Sequence, residues 1–275
     1  MAVLERVNQF VLLIINTLRR VSLWRIWLVL LAYYGFQALV LYLHYDYPSG
    51  PLGGLIRGWV SLFGPDTATA FGHYPQHFLL LGKTSYFAKL IIGLLLEGMV
   101  LGVVAGMFHR DLGGTPPSAS RSGRLINVTL VWVIVNGLML AAGQLLPGLL
   151  AGYLNGPRRV FVFSFAFMPF VFTLIFALFC LAIPSVVIYR DDALKALSRS
   201  FRYFLRRPLT LFALSFVILA VPIFLGALAS RPVGIVDSFK PELLYWILVA
   251  SLCSEMLAGF FWMGTAVRFL WSEDH

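Results

Sequence analysis

Six stretches of the chain are predominantly apolar: 26–44, 86–108, 125–152, 160–188, 208–229 and 242–270. A helix needs about 20 mostly apolar residues to cross a bilayer, and each stretch is close to that length or longer. The longer ones must tilt or bend. Pro147, Pro169 and Pro222 mark the candidate bends, because proline has no N–H to give to the helix ladder. The pattern predicts an all-α fold, a polytopic bundle of six transmembrane helices forming one integral membrane domain over residues 1–275.

Two further segments alternate instead of running continuously apolar. Over residues 3–20, Val3, Leu4, Val7, Phe10, Val11, Ile14 and Leu18 recur at helical spacing, closed by Arg19 and Arg20. Over residues 191–206, Leu194, Leu197, Phe201, Phe204 and Leu205 form one stripe and Lys195, Arg199, Arg202 and Arg206 another. Asp191 and Asp192 suit the start of such a helix, where free backbone amides favour negative charge, and Pro208 ends it. Both segments read as amphipathic interfacial helices, apolar side in acyl chains and basic side toward headgroups. They share a plan of surface helix, Arg-Arg and span. Between residues 45 and 85, Leu55, Ile56, Trp59, Val60, Leu62 and Phe63 predict a short helix on the outer surface or a re-entrant segment. Residues 109–124, rich in Gly, Pro and Ser, read as a mobile linker.

The stretch "IPSVVIYRDDALKALSRSF" resembles the signature of a loose group of prokaryotic six-span proteins. The group includes the membrane domain attached to some glycerophosphodiester phosphodiesterases and many uncharacterised relatives. Its pattern is a proline near the end of a span, an acidic residue, then Ala-Leu-x-x-Ser-[Phe/Trp] opening an amphipathic helix. Pro184, Asp191 or Asp192, Ala196, Leu197, Ser200 and Phe201 carry it here, within a likeness covering roughly residues 160–270. The resemblance implies a fold. It implies no activity, because the phosphodiesterase domain of the fused members has no counterpart in these residues.

Composition sharpens the class. The chain is 60% hydrophobic and 12% charged, about half the charged share of a soluble domain. The net charge of +9 therefore reads first as an orientation signal and not as nucleic-acid binding. With the N-terminus placed inside, 14 of the 21 Lys and Arg residues fall in cytoplasmic segments, so both termini are expected there, in a prokaryotic inner membrane. The expected partners are membrane lipids, anionic ones at Lys195, Arg199, Arg202 and Arg206, or a membrane or cytosolic protein docking on the same stripe.

The candidate chemistry is sparse. Glu97 and Glu255 sit near the middle of the second and sixth spans, with Gln37 and Asn136 at similar depth in the first and third. A charged carboxylate at that depth is costly, so each glutamate is expected to be neutral or paired. The four form a candidate midplane polar cluster, either a site for a proton, cation or polar substrate, or hydrogen-bonded packing glue. Lys89 is expected to snorkel toward the outer surface. Gly98, Gly102 and Gly106 form a GxxxGxxxG stripe that lets helices approach closely, within the chain or in a homo-oligomer. "HYPQH" offers His73 and His77, but Pro75 between them argues against a shared metal-binding face. The two cysteines, Cys180 and Cys253, lie in apolar runs and suggest no disulfide. No catalytic, cofactor or metal motif is found, so no enzyme activity, cofactor or metal is expected. The sequence reads as a non-catalytic scaffold or accessory subunit that organises lipid or a partner at the cytoplasmic face. The alternative is a permease subunit of an ABC-2-like transporter using the midplane cluster.

Overall fold

The structure is a computed structural model that describes residues 2–46, 50, 52–114, 121–229 and 232–274. Residues 115–120 of the expected linker, and the side chains of Val3, Leu4 and Val7 on the expected N-terminal apolar face, lie outside the described part.

The described residues fold as helices with no strand. In chain order they are α1 (Ala2–Leu18), α2 (Trp24–Tyr45), α3 (Gly53–Ser61), α4 (Pro65–Phe71), α5 (Gln76–Asp111), α6 (Arg121–Leu149) and α7 (Pro157–Val162). A π turn over Phe163–Phe167 leads into α8 (Met168–Phe179), followed by α9 (Ala182–Tyr189), α10 (Ala193–Arg206), α11 (Pro208–Ala229), α12 (Pro232–Ser238) and α13 (Leu243–Asp274). Six helical segments are long and apolar enough to cross a membrane, so the protein is an all-α helical bundle of the multi-pass membrane class.

Differences from expectation have physical causes. α5 begins at Gln76, ten residues before the apolar run that marks it. Its first turns mix polar residues with Phe78–Leu81, and the burial of Phe78 and Leu81 holds them. The fourth span is interrupted twice. Pro169 cannot donate to Phe165, and the wider π turn falls just ahead of it. A second break at Cys180 and Leu181 separates α8 from α9. Pro147 and Pro222 stay inside α6 and α11.

The chain divides into two compact units, and four of the long helices contribute residues to both. The first unit comprises Met1–Leu30, Leu94–Ala220 and Leu257–His275. Its core includes the fully buried Leu101, Phe108, Leu181, Phe260 and Phe269. Gly98 and Gly102 face the next helix: a Cβ on Gly98 would stand 2.7 Å from Trp132 Cβ, and one on Gly102 3.1 Å from Val128 Cγ1. Gly106 has more room, with Val187 Cγ1 at 3.7 Å. Gly264, not singled out from sequence, is tighter, because a Cβ there would overlap Thr17 and press on Phe108.

The second unit comprises Leu31–Gly93 and Val221–Met256. Val60, Phe71, Leu81 and Leu244 are buried in it. Tyr45 stacks on Tyr245 with ring centroids 4.3 Å apart. Within the short α3 region, Val60 is buried while Leu55 and Leu62 stay exposed, so only part of the expected apolar face turns inward. His77 is buried near the start of α5 with Nδ1 3.1 Å from the Phe71 carbonyl.

Candidate functional site

Two constellations concentrate polar and charged side chains, one in each unit. The first surrounds α10. Asp192 caps it, its carboxylate accepting from the Lys195 N–H at 2.8 Å. Arg190 ends the preceding α9 in a left-handed conformation, φ +58°. The helix stops at Arg206 because Pro208 can open α11 but cannot continue α10. The packed face of α10 is made of small residues, Ala193, Ala196 and Ser200, with Leu197.

Ser200 ties α10 to the break in the fourth span. Its hydroxyl donates to the Leu178 carbonyl at 2.9 Å and accepts the Leu181 N–H at 3.2 Å. A third backbone group at the break also finds a partner. Pro184 has no N–H for the Cys180 carbonyl one turn earlier, and the Trp262 indole donates to that carbonyl at 2.7 Å. Trp262 is held there by Phe176, ring centroids 4.5 Å apart. Backbone groups that a buried helix break would leave unmatched are thus satisfied by side chains far away in sequence.

Asp191 lies under α10 with its side chain 1% exposed. It accepts from Arg199 Nε at 2.6 Å and sits 3.1 Å from Lys195 Nζ. Burial by itself would raise its pKa, but the hydrogen bonds and charges of Arg199 and Lys195 outweigh burial and hold the carboxyl below the ordinary carboxylate range. The Arg199 guanidinium also stacks on Tyr189, 4.0 Å from the ring centroid. Of the four basic residues of the expected lipid stripe, Lys195 and Arg199 are therefore engaged with Asp191. Arg202 and Arg206 have no ion-pair partner among the described residues. Leu194, Phe201 and Leu205 are 75%, 43% and 63% exposed.

The same unit holds charge pairs that the sequence did not suggest. Arg20 Nε lies 3.0 Å from Asp111 Oδ2, with Arg268 at 3.8 Å, and Arg207 lies 3.0 Å from Glu273.

The second constellation is a cavity of about 460 Å³ in the second unit. Gln37 of α2, Lys83, Tyr86 and Lys89 of α5, and Ser251 and Glu255 of α13 supply its polar groups. Lys89 does not snorkel away; its ammonium pairs with Glu255 Oε2. Ser251 donates to the other carboxylate oxygen at 3.1 Å. The Gln37 amide is buried and donates to the Tyr33 hydroxyl at 3.0 Å. Two of the four residues expected in a midplane cluster, Gln37 and Glu255, line this cavity. Glu97 and Asn136 belong to the other unit and do not. Asn136 donates to the Trp132 carbonyl on its own helix at 2.9 Å. Among the described residues, no group of three or more His, Cys, Asp or Glu side chains could hold a metal ion.

Comparison of the chain with protein-family models, curated proteins and solved structures finds no match.

Proposed function

We propose that the protein is a non-catalytic scaffold or accessory subunit of the membrane, resting α10 on the anionic cytoplasmic leaflet to organise lipid or a partner there. One observation carries this reading. α10 turns its small-residue face to the protein and leaves Leu194, Phe201 and Leu205 open beside Arg202 and Arg206. That is the layout of a helix whose apolar side enters acyl chains at headgroup level.

The magnitudes rank the contributions. A leucine moved fully out of water gains about 1.5–3 kcal/mol, whereas each unpaired arginine near an anionic surface contributes about 1 kcal/mol. The three apolar side chains therefore outweigh the two free arginines, and salt should weaken the seating without abolishing it. The resemblance carried by Pro184, Ala196, Leu197, Ser200 and Phe201 supports the same surface helix.

Nitroxide labels test it, placed singly at Leu194, Phe201, Leu205 and, on the basic face, Arg206 in protein reconstituted into vesicles containing phosphatidylglycerol. Oxygen accessibility should exceed that of a water-soluble nickel reagent at 194, 201 and 205, with the reverse at 206 on the basic face. Aqueous signatures at all four positions would show that α10 does not sit in the membrane surface. Protection from both reagents would assign the exposed stripe to a protein partner.

A further inference from the structure

The cavity of the second unit is bordered by the exposed Lys83 and Tyr86, so a ligand can reach it. An ion pair that served only to join α5 and α13 would need no such space beside it. Cavities that hold small molecules span about 300–1,000 Å³, and this one, at about 460 Å³, falls inside that range.

We propose that the cavity binds a single-chain amphiphile with one anionic headgroup. Its walls are mainly aliphatic, with Val40, Leu41, Leu79, Leu248 and Leu252 offering surface to a hydrocarbon chain. Its charges are unbalanced: of its two ammonium groups, Lys83 and Lys89, only Lys89 pairs with the one carboxylate, Glu255. Lys83 is exposed, has no carboxylate partner among the described residues and lies 5.8 Å from the Phe63 ring centroid. Lys89 and Glu255 are fourteenth and thirteenth in their helices, so each Cα lies about 18–20 Å along from its helix start. The unpaired Lys83 leaves a net positive charge at the cavity, which favours an anion there. A cationic amphiphile would meet two ammonium groups, and an uncharged one would leave the excess unanswered. The volume suits one chain, where a diacyl lipid would need a larger space. Glu255 holds Lys89 when the site is empty and competes with the ligand head for it.

The test uses the full-length protein in nanodiscs of zwitterionic lipid, with empty discs subtracted. The fluorescent fatty carboxylate dansylaminoundecanoate is titrated in, then displaced by hexadecanoate, hexadecyl phosphate, hexadecanol or hexadecyltrimethylammonium. Saturable binding is expected, with at least one of the two anions displacing the probe about tenfold more effectively than the alcohol or the cation, the worth of one charge-assisted contact. Whichever anion displaces at lower concentration identifies the headgroup as carboxylate or phosphate. K83Q should weaken binding by about five- to tenfold, and E255Q should strengthen it by removing the competitor for Lys89. These opposite signs are not expected of an ion pair that merely holds two helices together. G226F provides a block without charge change, because Gly226 lines the cavity and no atom lies within 4 Å of where its Cβ would stand. It should abolish probe binding while the protein elutes as wild type. No saturable signal above empty discs, equal displacement by alcohol and anion, or retained binding in G226F would each overturn the proposal. None of these variants touches α10, so the outcome is independent of the surface-helix reading.

Discussion

Replacing Ser200 by alanine removes one oxygen and leaves two backbone groups unmatched. The Ser200 side chain is fully buried, and its hydroxyl satisfies both the Leu178 carbonyl and the Leu181 N–H at the break between α8 and α9. A buried polar group left without a partner costs about 1–3 kcal/mol. At 2.9 and 3.2 Å neither bond is marginal, so the pair should cost about 2–6 kcal/mol in S200A. The exposed Ser198 sits on the same helix and S198A should stay within about 0.5 kcal/mol of wild type. Folding can be followed by titrating SDS into nonionic micelles in a Cys253→Ser background. Cys180 lies at the break, is buried, and should react with a thiol dye only when the clasp opens. If S200A and S198A unfold at the same SDS fraction, water or backbone rearrangement satisfies the break and the clasp is not what stabilises it.

Three further outcomes follow from the same unit. R190G should be neutral to stabilising by up to about 1 kcal/mol, because glycine adopts the left-handed conformation of residue 190 without the steric cost that arginine bears; a loss above that size in the same titration would refute it. G264A should destabilise by about 1–3 kcal/mol, since a methyl there overlaps Thr17 and crowds Phe108; a silent substitution would show that α1 can shift. The folded pKa of Asp191 is depressed, so its contribution is complete above the unfolded value of about 3.9 and is lost as pH falls through the folded value. The stability gap between wild type and D191N should therefore be constant from neutral pH to about 5 and shrink below about 4, and a gap that does not change with pH would refute the assignment.

The spans were legible because twenty consecutive apolar residues have few alternatives to a transmembrane helix. Their polar extensions were not. Gln76 to Ser85 lies outside the continuous apolar run, yet a helix already nucleated there extends through it because Phe78 and Leu81 are buried. Local chemistry also read well where the partner was local, as with Asp192 capping α10. It failed where the partner was distant. Ser200 belonged to a recognisable pattern, but nothing near it in sequence shows that its hydroxyl serves a helix break some twenty residues earlier. Lys89 and Glu255 are 166 residues apart, and a lysine with an adjacent surface is read as snorkelling until a carboxylate is found beside it. The basic stripe shows the same limit in reverse. Lys195, Arg199, Arg202 and Arg206 look equivalent along the helix, but the buried Asp191 takes up the first two and leaves only the last two for a membrane or a partner. Charge spacing can define a face; which charges on it remain available is decided by the fold beneath.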